Sequence, residues 1–72
     1  MARLHRLDPD APLRSIRELA GVTVTEAARA RGVAQPSEHQ AEGQGERIQV
    51  STLRQAAEAL GFRLILGVEK ID

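Results

Sequence analysis

Apolar positions recur at helical spacing, with stop signals between the runs. Leu13, Ile16, Leu19 and Ala20 fall three or four residues apart, as on one face of an α-helix, and predict a first helix over about 12–20. Gly21 follows as a stop. Asp10 is placed to cap the start, and Pro12 is tolerated in a first turn, where an amide lacks a partner anyway. Asp8-Pro9-Asp10 is turn chemistry, so residues 1–11 read as an arm. Thr23-x-x-Glu26 is a capping-box pattern and opens a second, Ala-rich helix over about 24–31, ending at Gly32. Gln35-Pro36-Ser37 resembles a further helix start. This third helix, about 36–42, has almost no apolar face beyond Ala41.

Gly43 to Glu46 reads as a loop. Ile48 and Val50 are expected either to form a brief extended segment or to lock into the core. Ser51 is placed to cap the strongest helix, in which Leu53, Ala56, Ala57 and Leu60 make one apolar stripe and Gly61 stands just past the end. The pattern then changes from helical spacing to strict alternation. Phe62, Leu64, Leu66 and Val68 share one face; Arg63, Ile65, Gly67 and Glu69 share the other. This predicts a strand whose only partner within the chain is the weak Ile48–Val50 segment. Antiparallel pairing with the same strand of a second copy is the simplest way to satisfy its edge.

Length supports that expectation. A domain of 72 residues buries only about 60% of its unfolded surface, and small domains usually add disulfides, a metal or a second subunit. The sequence has no Cys, which removes disulfides and thiolate zinc sites. His5 and His39 are isolated. A homodimer is the remaining supplement. The lack of Cys agrees with a cytoplasmic location; there is no run of 18 apolar residues for a membrane span and no apolar stretch that reads as a signal peptide.

Charge adds little direction. The formal net charge is zero: residues 1–34 hold six Arg and four acids (+2), and residues 35–72 hold four basic and six acidic groups (−2). An ordinary solvated surface accounts for so small an asymmetry. His39 and Glu42 are two potential ligands, short of a metal site. Gly43-Gln44-Gly45 has no preceding strand and no Lys-Ser/Thr after it, so it reads as a flexible connection and not as a phosphate loop. The basic arm "ARLHR" could enter a minor groove, although a frayed terminus is the better account of it. Catalysis finds no nucleophile–base arrangement, and the chain is small for an enclosed substrate site. No enzyme activity, cofactor or metal is expected.

Two helices joined by a short turn, the second opening on polar residues, form a helix-turn-helix arrangement. Ala28 and Gly32 supply the small residue and the sharp turn it requires. On "GVAQPS" and "STLRQAAEALGFRLILGV", and more broadly over residues 13–69, the sequence resembles the Xre/Cro-type helix-turn-helix family. The likeness is closest to its short, HipB-like antitoxin members. The resemblance implies an all-α, lambda-repressor-like domain of four to five helices over 12–61, with a C-terminal dimerisation strand over 62–72 carrying Phe62, Leu64, Leu66 and Val68. It implies an operator-binding repressor, probed through Gln35, Ser37, His39 and Gln40 on the recognition helix and Thr23 at the start of helix two. Glu42 matches the acid that closes the recognition helix. Arg29, Arg31 and Arg47 are expected backbone contacts on charge. A cognate toxin is the further partner implied. The departures are Val24, where the family usually has Gln, and Ala27, Arg31, Glu38 and Ala41, where it carries bulky apolar residues. Arg31 and Glu38 must either pair with each other or sit in differently placed helices. The competing expectation is a protein-interaction module whose recognition helix no longer reads DNA.

Overall fold

Each helix expected from apolar spacing forms. In the computed structural model, which describes residues 3–72, α1 spans Pro12–Ala20, α2 Val24–Arg31, α3 Gln35–Glu42 and α4 Val50–Ala59, with a 3-10 turn at Gly45–Arg47 before α4. Met1 and Ala2, the first residues of the expected arm, lie outside the described residues. Among those described there is no strand, so the domain is all-helical with four α-helices.

Local chemistry sets most helix ends. Gly21 and Gly32 close α1 and α2 at φ 70° and 72°, the left-handed region in which a side chain is strained. The Thr23–Glu26 capping box is fully formed: the Glu26 amide donates to Thr23 Oγ1 at 3.1 Å and the Thr23 amide donates to Glu26 Oε1 at 2.9 Å.

Two expected caps are corrected. Asp10 does not cap α1; the N-cap position is Ala11, with no side-chain cap. The Asp8 carboxylate instead accepts the Asp10 amide at 2.9 Å, and the Asp8 amide donates to Ser15 Oγ at 2.9 Å. These bonds spend the polar groups of the turn on the turn itself. Ser51 does not cap α4 either, because the helix begins one residue before it, at Val50, with Gln49 at the N-cap. Ile48 decides this: it is buried in extended backbone (φ −61°, ψ 141°), so the chain turns helical as soon as it leaves the core.

The core gathers Leu13 and Ile16 of α1, Ile48, and Leu53, Ala56 and Ala57 of α4, with Leu7, Ala41, Leu60, Phe62 and Leu64 packed around it. Helix α4 lies against both α1 and α2, and α3 rests chiefly on α2. Leu7 ties the end of the arm to the core. Leu4, Leu19 and Leu64 help line a cavity of about 100 Å³ between arm and C-terminal segment.

The C-terminal β-strand is also a correction. Phe62 is anchored by its amide, which donates to the Ala57 carbonyl at 2.7 Å, and Phe62 and Leu64 are half-buried. Beyond them Leu66 and Val68 are exposed. A strand exists only with a partner ladder, and the sole candidate within the chain is spent: Ile48 is in the core and Val50 has joined α4.

Gly45 gives the sharpest test of this packing. It sits at φ +58°, and a Cβ there would stand 2.9 Å from the Asp10 carbonyl oxygen, whereas a Cβ on Gly21 would meet open space. Gly21→Ala is expected to cost about 1–2 kcal/mol from left-handed strain alone. Gly45→Ala should cost more, because the turn must also move away from Asp10. Urea-unfolding midpoints of the two variants check the order.

Candidate functional site

The third helix is polar on nearly every side, and its inward face shows how it is held. Its one buried residue is Glu38, 1% exposed. Glu38 Oε2 accepts a charge-assisted hydrogen bond from Arg31 Nη1 at the end of α2. Arg31 Nη2 reaches on toward Gln55 Oε1 of α4 at 3.4 Å, and its Nε has no partner. Of the two arrangements the sequence allowed for these residues, pairing is the one adopted. Arg31 is therefore turned inward, and the expectation that it contacts a nucleic-acid backbone is corrected.

A second clamp holds the other end of α3. Arg17 of α1 donates to Glu42 through Nε at 2.7 Å and Nη2 at 3.2 Å, a two-point grip, while its Nη1 donates to the Val22 carbonyl at 3.2 Å. One side chain thus joins α1, the α1–α2 turn and α3. Hydrogen bonding to Glu42 raises the Arg17 pKa further above its ordinary value, against the opposing effect of burial. Nothing in the local pattern pointed to Arg17, because its partner lies 25 residues away.

With both acids of α3 engaged, its outer face consists of exposed Gln35, Ser37, His39 and Gln40 around Pro36. These four expected site residues are all exposed, with Gln35 and His39 toward one flank of the helix and Ser37 toward the other. His39 also lines a cavity of about 370 Å³ with Arg14, Arg17, Val24, Glu42 and Gly43, which puts it beside the start of α2. Thr23 is exposed there. Its hydroxyl accepts from the Glu26 amide. Accepting the Thr23 backbone amide, and then bonding to its side chain, holds the Glu26 carboxyl below the usual carboxylate range. The box is intact above that ordinary range and weakens as pH falls through the depressed value. Arg47 is exposed on the 3-10 turn, outside this cavity. Among the described residues, no group of three or more potential metal ligands occurs.

The chain matches no family model, and neither a curated protein nor a solved structure is significantly similar to it.

The Arg31–Glu38 pair predicts an asymmetric mutational response. Glu38→Ala leaves a buried guanidinium without its counter-ion and is expected to cost about 3–5 kcal/mol. The double change Arg31→Leu with Glu38→Val removes both charges at once and should be neutral, or stabilising by about 1–4 kcal/mol. Chemical denaturation of the single and double variants tests this, and a double variant as weak as the single would contradict it.

Proposed function

We propose that this protein is a sequence-specific DNA-binding repressor of the helix-turn-helix type, acting as a homodimer, and that it is the antitoxin of a toxin–antitoxin pair. One observation carries the DNA-binding part: α3 presents an outer face of amide, hydroxyl and imidazole groups, with both of its carboxylates turned away and paired. Gln is suited to the paired donor and acceptor on adenine, and Ser and His can bond base edges or phosphates. Thr23 stands exposed at the N-cap of α2, and a helix N-terminus can meet a phosphate. Arg47 supplies a cation from the following turn. The antitoxin assignment rests on the resemblance of "GVAQPS" and "STLRQAAEALGFRLILGV" to short Xre/Cro-type members.

The dimer follows from the C-terminal segment. Leu66 is 65% exposed, Ile65 is 58% exposed, and Val68 and Ile71 are almost wholly so. Pairing of residues 62–69 with a second copy supplies both the missing ladder and a cover for Leu66 and Val68. It also matches the two half-sites, about one helical turn of DNA apart, that such repressors read. The competing reading, a partner-binding module that does not read DNA, is favoured by Val24, which cannot donate to a phosphate.

Fluorescence anisotropy with duplex from the gene's own upstream region, at about 50 and 200 mM salt, separates the two. Specific binding should weaken steeply with salt, because each phosphate contact releases counterions. Binding no stronger than to a scrambled duplex would favour the partner-binding module. Sedimentation should give a dimer for the native chain. Replacing Leu66 and Val68 together by Lys should give a folded monomer with greatly reduced operator affinity.

A further inference from the structure

We propose that the cavity between α1 and the end of α3 is a phosphate seat, in which Arg14 and His39 hold one backbone phosphate of bound DNA. The proposal deepens the DNA-binding reading and rests on it. The cavity, about 370 Å³, is lined by Arg14 and Arg17 from α1, Val24 from α2, and His39, Glu42 and Gly43 at the end of α3. Three nitrogenous side chains meet one carboxylate there. That carboxylate is spent, since Glu42 is clamped in two places by Arg17. Arg17 in turn has used all three of its donor nitrogens on Glu42 and Val22, so it contributes charge but little new bonding.

Arg14 is differently placed. Among the described residues its one ionic neighbour is Glu18, at 3.7 Å across a single helix turn, and both side chains are more than half exposed. Exposed pairs of this kind hold weakly and are screened by salt. An arriving phosphodiester can therefore take the Arg14 guanidinium from Glu18. Arg offers a planar fork that suits two phosphate oxygens, and His39, in the last turn of α3, lines the same cavity. The apolar Val24 side chain offers no donor, so Arg14 makes the contact from the neighbouring helix. The seat fixes how α3 lies against the duplex and reads no base.

The test measures binding of Arg14→Gln and Arg14→Lys to the upstream duplex and to a scrambled one across a salt series. Arg54→Gln, which removes an exposed cation from α4 away from this cavity, serves as the control. Arg14→Gln is expected to weaken binding to both duplexes about ten-fold and to flatten the plot of log K against log salt by about 0.9 per protomer. Arg14→Lys should retain most of the slope. Placing single uncharged methylphosphonates along the duplex should reveal one position per half-site that weakens the native protein but not Arg14→Gln. An unchanged slope in Arg14→Gln, an equal loss in Arg54→Gln, or no position coupled to Arg14 would overturn the assignment while leaving DNA binding intact. Absence of any DNA binding by the native chain would remove the proposed function, and the seat with it.

Discussion

Everything α3 can present to a partner depends on the ion pair between Arg31 and Glu38, because this helix has almost no apolar surface with which to hold itself in place. Ala41 is its one half-buried hydrophobic residue, and its buried position is occupied by a carboxylate. Removing two charges from water is costly, and their mutual attraction offsets that cost only when geometry and secondary hydrogen bonds are good. Here Gln55 supplies one such bond and Arg31 Nε goes without. The pair is accordingly a device of direction more than of stability. A greasy contact tolerates sliding along the helix axis; a carboxylate that must meet one guanidinium does not. Arg17 repeats the constraint at the other end of the helix through Glu42.

These two clamps also decide the electrostatics of the outer surface. Left in solvent, Glu38 and Glu42 would add two negative charges to the exposed surface of α3. Paired inward, they leave a neutral polar face bordered by Arg14, His39 and the exposed Arg47. Buried pairs are screened much less by salt than exposed ones. Added salt therefore leaves α3 docked, while it screens an exposed pair such as Arg14–Glu18.

The C-terminal segment shows the converse situation, in which sequence periodicity runs ahead of the single chain. Its alternating residues prepare a strand, but only Phe62 and Leu64 find a surface to cover. Leu66 and Val68 continue the same alternation into solvent.

The helices were legible from the sequence because their signals are local. Apolar spacing located α1 and α4, the Thr23–Glu26 box opened α2, and Gly21 and Gly32 marked stops, since each depends on residues within a turn or two. The polar face of α3 was legible for the same reason. Which polar residues of α3 face outward came only with the resemblance, which put Gln35, Ser37, His39 and Gln40 on the exposed side and Glu38 at a usually apolar position; their exposures agree, but Glu38 and Gln40 look alike in a linear pattern. The caps at Asp10 and Ser51 failed where burial of Ile48 and the hydrogen bonds of Asp8 outweighed local preference. Arg17 and Glu42, 25 residues apart, meet only because α1 and α3 are packed side by side. Short-range periodicity is written along the chain, whereas the pairing of charges is settled by which helices the core brings together.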